Sequence, residues 1–316
     1  MPLVSATHRL AALLDAAVAR RRCKAILLSG GLDTSIVAAL AARHGLRFAV
    51  TVAVGDDPPD LAYATAVARR LRIEHVVLRR TVAELATVLP ELIALLNTFD
   101  GMYLRNDIVV LEGLREVARR GIRSCWTGDG ADELFAGYSF VYTKAPDEIV
   151  ATIKRFAASM HFNGTLIGEK LGVEVRSPYL EPEIIAHALT LGGEDLVLDH
   201  DGQRLGKAPL RRAFAGEIGA RHAFRRKDPI EIGSGATALK DLMAGTVADF
   251  AAAAEAVRAQ DGVRLRDPES LAYYRLYRDV FGGPPRPDPA MPKACPDCHA
   301  RGPEGTYCRV CGAYPI

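Results

Sequence analysis

Apolar residues recur at helical spacing near the start of the chain. Leu10, Leu13, Leu14, Ala17 and Val18 fall on one face between Thr7 and Arg20, which predicts an amphipathic opening helix. The apolar run Ala25 to Leu28 reads as a strand, and after the polar turn Ser29-Gly30-Gly31 a helical pattern runs over Ser35 to His44, closed by Gly45. The alternation continues. Strands are predicted over Phe48–Val54, His75–Leu78 and Ser124–Thr127, and helices over Asp60–Arg72, Val82–Leu96 and Ile108–Arg120. Such alternation predicts an α/β fold with a parallel, doubly wound sheet.

From about residue 140 the strand signal stops. Helical patterns around 147–160, 181–190, 207–215, 237–258 and 268–281 predict a helical second half. Gly282 to Pro292 holds five prolines and two glycines in eleven residues, the composition of a linker. The expected domains are therefore 1–282, a linker over 283–292, and a small cysteine-bearing segment over 293–316. No internal repeat of fixed period is present.

Composition narrows the class. At 316 residues with 49% hydrophobic and 25% charged, the chain can build a sizeable core and resembles neither a disordered nor a membrane protein. Lys and Arg number 40 against 38 Asp and Glu, so phosphate-backbone binding does not dominate the chain, and support for a nucleic-acid partner is weak. Leu10 to Ala19 carries Asp15, follows Arg9 and ends in Arg20, Arg21 and Arg22, the reverse of a signal peptide. No apolar run approaches the ~18 residues that span a bilayer. A cytoplasmic protein without a membrane partner is expected.

The turn Ser29-Gly30-Gly31-Leu32-Asp33-Thr34-Ser35 lies between a predicted strand and a helix, where backbone N–H groups and the helix dipole converge on an anion. Gly30 and Gly31 allow close backbone approach, Ser29, Thr34 and Ser35 offer hydroxyls, and Asp33 can hold a magnesium ion on phosphate oxygens. An ordinary Gly-Gly turn would explain the glycines but not the Ser and Asp. It is not a Walker A loop, since Gly-Lys-Ser/Thr is missing. The seven residues match the Ser-Gly-Gly-x-Asp-Ser/Thr-Ser signature of the PP-loop ATP pyrophosphatases, a resemblance that implies AMP transfer from ATP.

A second cluster, Thr127-Gly128-Asp129-Gly130-Ala131-Asp132-Glu133-Leu134-Phe135-Ala136-Gly137-Tyr138, follows the strand at Ser124 and places three carboxylates in five residues. Alone it could be an Asp/Gly-rich turn with Asp132 capping a helix. With the first loop it closely resembles the Gly-Glu/Asp-Gly-x-Asp-Glu-Leu-Phe-Gly-Gly-Tyr block of asparagine synthetases. Gly172 to Glu181, Gly206-Lys207-Ala208-Pro209-Leu210-Arg211, Arg226-Lys227 leading to Gly233-Ser234-Gly235, and Tyr273 to Tyr277 follow in that family's order.

The resemblance spans roughly residues 20–282 and implies a PP-loop, adenine nucleotide alpha hydrolase-like fold. It implies that Asp33 and Asp132 ligate magnesium, that Leu28, Ser29, Val54, Thr127 and Gly128 line the ATP site, that Asp129 supports formation of an acyl-adenylate, and that Lys227 reaches the phosphates and the intermediate. Lys227 in Arg225-Arg226-Lys227 could instead belong to a solvated basic face, and Glu174 with Arg176 could equally be an internal ion pair ordering the loop or touch substrate. The implied reaction adenylates a carboxylate, by resemblance aspartate, and transfers it to ammonia or another amine. An alternative is activation of a nucleic-acid base, as in tRNA thiolation, which wants catalytic cysteines and a basic face. A nucleotide-binding regulator without chemistry sits poorly with the intact set Asp33, Asp129, Asp132 and Lys227.

Two departures matter. Pro2 stands where that family carries a nucleophilic cysteine after the initiator methionine, so a glutaminase domain is expected to be absent and the amine to come free or from a separate donor. Ala136 replaces the first glycine of Gly-Gly-Tyr. Cys23 and Cys125 adjoin buried strands, where a cysteine is usually small apolar filler.

Cys295-Pro296-Asp297-Cys298 and Cys308-Arg309-Val310-Cys311 form two CxxC pairs, a zinc signal. Four thiolates close a structural site, and His299 is not needed as a ligand. A 24-residue segment cannot build its own core, so the metal would supply its folding energy, leaving protein docking or substrate delivery as roles for the ribbon. The segment is expected to behave as a closed module behind a hinge.

Overall fold

The seven residues Phe48–Val54 are apolar except for Thr51, a composition that suits a strand covered on both faces, and all seven are buried. The computed structural model describes residues 3–287, 293–300 and 306–316, with side chains from residue 7 onward. Five strands form one sheet: β1 (Ala25–Leu27), β2 (Phe48–Val54), β3 (Glu74–Arg80), β4 (Ser124–Trp126) and β5 (Glu174–Arg176), in the order β3-β2-β1-β4-β5. β1 runs parallel to β2 and β4, and β4 parallel to β5, with Ala25 opposite Cys125 and Ile26 opposite Trp126. The α/β doubly wound fold is as expected.

The strand order places successive strands first on one side of β1 and then, from β4, on the other. Open α/β sheets bind ligands at such a reversal, outside the carboxyl ends of the strands. Both glycine-rich loops leave the sheet there.

Three elements depart from expectation. β5 reads Glu174-Val175-Arg176, half-exposed and polar on alternate positions, so no apolar run announces it. The hairpin β6 (Val197–His200) and β7 (Gln203–Gly206) turns through Asp201 and Gly202, both at positive φ, an Asp-Gly turn suited to a two-residue hairpin. The helical pattern over 237–258 breaks into Ala238–Ala244 and Phe250–Asp261, because Asp249 caps the second helix by accepting from Ala252 N at 3.1 Å.

By contacts the chain divides into two units, Met1–Thr51 with Pro59–Leu78 and Gly113–Pro229, and Val52–Pro58 with Arg79–Glu112 and Ile230–Ile316. The first unit's core gathers Leu10 and Leu14 of α1 (Leu3–Arg20), Ile36 and Leu40 of α2 (Leu32–Arg43), and Ile26, Trp126, Tyr179 and Phe214. In the second, the helices Val82–Leu96, Ala238–Ala244 and Pro268–Phe281 pack together. Leu85, Leu89, Leu92 and Ile93 form one buried stripe, and Phe99 meets the rings of Tyr274 and Tyr277 edge-on at 5.2 and 5.4 Å.

The described part of the cysteine segment groups with this second unit. Phe99 N donates to Val310 O at 2.8 Å, Thr98 Oγ1 to Arg309 O at 2.8 Å, and Arg264 N to Asp297 O at 2.7 Å. The Tyr307 hydroxyl donates to buried Asp100, and Arg266 donates to the carbonyls of Cys311 and Gly312. Gly312 sits at φ 74°, where a Cβ would lie 2.5 Å from Asp100 Oδ1. Of the expected linker, 288–292 lie outside the described residues. Among the described residues, no single helix is long and apolar enough to cross a membrane.

Candidate functional site

Ser29-Gly30-Gly31 turns the chain from β1 into α2, whose first turn leaves backbone N–H groups without intrahelical acceptors. Gly30 is required. It sits at φ 83°, and a Cβ there would lie 2.3 Å from Asp60 O. Hydroxyls brace the turn: Ser29 N donates to Thr34 Oγ1 at 3.2 Å, Gly31 N to Ser29 Oγ at 3.1 Å, and the two side-chain oxygens lie 3.0 Å apart. Ser35 is fully buried and gives its proton to Gly31 O at 2.6 Å, so it supports the loop from behind. Leu28 is buried at the strand's end, its carbonyl accepting from Thr51 Oγ1 at 2.6 Å.

The loop after β4 packs directly on this turn. A Cβ on Gly128 would lie 2.9 Å from Asp33 Cβ, so only glycine lets the two loops meet. Thr127 Oγ1 donates to Asp129 Oδ2 at 2.8 Å, and Ser177 Oγ to Asp129 O at 2.6 Å. Asp33, Asp129 and Asp132 come together as the sequence implies. Val54 lies in the second unit, where its N–H donates to Ser234 O at 2.8 Å.

At the centre of the carboxylates stands a residue that the sequence alone assigns no role. Lys207 is 1% exposed, with Nζ 2.6 Å from Asp33 Oδ2 and 2.8 Å from Asp132 Oδ1. Lys227, partly exposed, reaches Asp132 Oδ2 at 2.7 Å and lies 4.7 Å over the Tyr138 ring. Three carboxylates in five residues, with Asp33 nearby, demand a buried cation, and Gly206-Lys207 before a proline-started helix was the available signal. Lys207 takes φ 60°, and a Cβ on Gly137 would fall 2.4 Å from its Cε.

Electrostatics separate the acids. Burial pushes Asp132 up, but Lys207 and Lys227 outweigh it and hold the carboxyl well below the usual range. Asp33 is raised by burial despite Lys207. Burial, with the charges of Asp33 and Asp132 added, pushes Asp129 up to about 6 against the Thr127 hydrogen bond. Lys207 is drawn down by burial and lifted further by Asp132 and Asp33, so it stays charged.

The residues fit a magnesium ion. Asp33 Oδ1 is buried with no hydrogen-bond partner among the described residues, and hard carboxylate oxygens are what that ion prefers. Elsewhere in this unit Glu174 and Arg176 form the internal ion pair, at 2.7 Å. Ala136, in place of the family's glycine, adopts φ 54°, a left-handed conformation that costs an L-residue roughly 1 kcal/mol. Cys23 and Cys125 are buried, and burial raises both thiols.

The second unit carries a different site. The Sγ atoms of Cys295, Cys298, Cys308 and Cys311 all lie within 4.8 Å of one another, and the pairs Cys295–Cys311 and Cys298–Cys308 are 3.7 Å apart. Tetrahedral zinc at about 2.3 Å from each sulfur places sulfurs about 3.8 Å apart, so the cluster fits that ion. His299 points elsewhere, with Nε2 3.1 Å from Gly262 O.

A model of the asparagine synthase family matches residues 9–171 and 166–272. The chain is 28% identical over 279 residues to asparagine synthetase B [glutamine-hydrolyzing] of Escherichia coli (strain K12), covering 81% of this chain and 49% of that protein. It is 32% identical over 205 residues to asparagine synthetase [glutamine-hydrolyzing] of Zea mays, covering 60% and 35%. It thus spans less than half the length of these relatives. Among solved structures, NMN synthetase from Francisella tularensis aligns over 89% of this chain and 95% of that one, at 15% identity and TM-score 0.39.

Proposed function

The chain belongs to the asparagine synthase family, and on that premise we propose that it is an ATP-dependent ligase that forms AMP and pyrophosphate, adenylating a small carboxylate and passing the acyl group to ammonia or another amine. By family the carboxylate is aspartate and the product asparagine. The observation that carries the reading is the alternation of charge Asp33–Lys207–Asp132–Lys227, set against a glycine loop at the start of α2.

The first step joins a carboxylate oxygen to the α-phosphorus of ATP and breaks its bond to the bridging oxygen, so negative charge builds on departing pyrophosphate. The Gly30–Gly31 turn and the first-turn amides of α2 receive the phosphates. Asp33 and Asp132 would hold magnesium, which when bound neutralises phosphate charge. Lys227 is the cation able to reach substrate, because its side chain is 29% exposed while that of Lys207 is 2% exposed. Lys207 favours the ionised forms of both carboxylates and holds them in place. In the second step the amine attacks the acyl carbon, AMP leaves and a proton is released. Asp129, with its raised pKa, accepts a proton at neutral pH more readily than an ordinary carboxylate.

The four cysteines would hold one structural zinc, leaving no open coordination position. Base thiolation is not favoured: Cys23 and Cys125 are buried with raised pKa values, and the other cysteines form the cluster. Pyrophosphate release from ATP, measured over a panel of amino acids with ammonia, tests the proposal. Release that depends on one carboxylate is expected. Release that requires RNA, or no release with any carboxylate, would overturn it.

A further inference from the structure

The two carbonyls of the glycine pair are tied off from behind, one by Arg225 and the other by Ser35, whose backbone N–H also donates to Gly31 O at 3.2 Å. Gly30 O accepts from Arg225 Nη2 at 3.0 Å, and Gly31 O accepts the Ser35 hydroxyl at 2.6 Å. A hydroxyl has one proton to give. Since that of Ser35 goes to Gly31, its 3.0 Å contact with His222 Nε2 must run the other way, with the imidazole N–H donating and the serine oxygen accepting. His222 is 6% exposed, and the Tyr63 ring meets it edge-on at 5.3 Å. Arg225 stacks over the same tyrosine at 4.3 Å and pairs with Asp60 at 2.7 Å.

We propose that His222 is a positioning residue of the nucleotide loop: acting through Ser35, it fixes the Gly31 carbonyl and with it the orientation of the peptide units that meet the phosphates. The inference rests on the reading of this loop as the ATP site. Burial, helped by the charge of Arg225, outweighs the backbone carbonyls of Gly31 and Gly30 that the ring also faces and pulls His222 down to about 4, so the ring is neutral and keeps one donor and one acceptor nitrogen. The same construction recurs at the other end of the loop, where His75 Nε2 lies 2.8 Å from Thr51 Oγ1 and that hydroxyl donates to Leu28 O. A histidine backing a hydroxyl that anchors a loop carbonyl thus occurs on both sides of the turn.

An aliphatic residue at 222 would leave the serine oxygen without its donor and free the hydroxyl to rotate away from Gly31. The Gly31 carbonyl would then be held by the Ser35 N–H alone, at 3.2 Å, and the loop would spend part of its time in other orientations. Apparent ATP affinity falls by the lost fraction of competent loop, while turnover at saturation, which uses only the competent form, is preserved.

The test compares full-length wild type with His222→Val, His222→Gln, Ser35→Ala and the Val/Ala double variant, reading KM and kcat for pyrophosphate release and the equilibrium Kd of Mg·ATP. His222→Val should raise KM and Kd for ATP about 3- to 10-fold, the worth of one hydrogen bond, with kcat within about twofold. His222→Gln, whose amide can donate, should recover much of the loss. The double variant should be no worse than the poorer single, since both act through one chain of bonds. Unchanged KM and Kd in His222→Val, additive effects, or a loss confined to kcat and melting temperature would overturn the inference while wild-type ATP binding leaves the ligase reading standing. Wild type that binds no Mg·ATP overturns both. Should His222→Val fail to fold, Ser35→Ala decides: a raised KM and Kd for ATP at preserved kcat supports the inference, and unchanged values overturn it.

Discussion

The carboxylate–lysine cluster draws its members from residues 33, 132, 207 and 227, whereas the four cysteines lie between residues 295 and 311. In the first, each buried charge is tolerable only because an opposite charge from a distant segment stands within 3 Å of it. In the second, like ligands converge from two neighbouring knuckles, and the proposed zinc would bind them together. One site is a consequence of the fold; the other, on the zinc proposal, would be a cause of local order. The first should fail by losing a partner, and the second by losing its metal.

The largest effect is expected at Asp132. Asp132→Asn removes a proposed magnesium ligand and the carboxylate that both lysines face. Pyrophosphate release should fall at least about 100-fold, and because Lys207 is left buried with half its compensation, stability should drop by about 3 kcal/mol. Unfolding by denaturant that matches wild type would show that the paired charges contribute nothing.

Next comes the cysteine cluster. Elemental analysis should find one zinc per chain, lost in Cys308→Ser. The sequence suggests a tail removable after Gly282, but Asp100, Thr98, Phe99 and Arg266 all bond to it. Truncation there should therefore lower the stability of the second unit by about 2–5 kcal/mol, several hydrogen bonds and a metal site being lost together. An unchanged melting temperature would restore the tail as an independent module.

The smallest effect concerns pH. Asp129 has a folded pKa of about 6, above its ordinary value of 3.8, so the folded state binds the proton more tightly than the unfolded chain. The resulting stability is fully present below pH ~4 and is lost as pH rises through about 6. In magnesium-free buffer Asp129→Asn should be the more stable protein at pH 8, by up to about 3 kcal/mol, with the gap closing below pH 4. A gap independent of pH would show that burial does not raise the Asp129 carboxyl.

The loops at 29–35 and 127–133 were legible because each is a local strand-turn-helix signal, with glycines whose necessity the packing bears out at Gly30 and Gly128. β5 and the Asp201-Gly202 hairpin were not, being short, half-exposed strands whose polar residues mimic loop. Ser35, whose place in the loop suggests a hydroxyl offered outward, is turned inward onto Gly31 instead.

The sequence by itself determined the alternation that builds the parallel sheet, the two acidic glycine loops and the cysteine pairs, because hydrophobic period, turn chemistry and CxxC spacing are all properties of near neighbours along the chain. Only the tertiary structure decided which cation stands between Asp33 and Asp132, which imidazole backs Ser35, and that the cysteine segment binds to the loop at 98–100. Those are pairings between distant residues. A lysine or histidine looks the same in sequence whether it is solvated or buried against a carboxylate or a hydroxyl, and the desolvation that makes the difference exists only once the chain has closed around it.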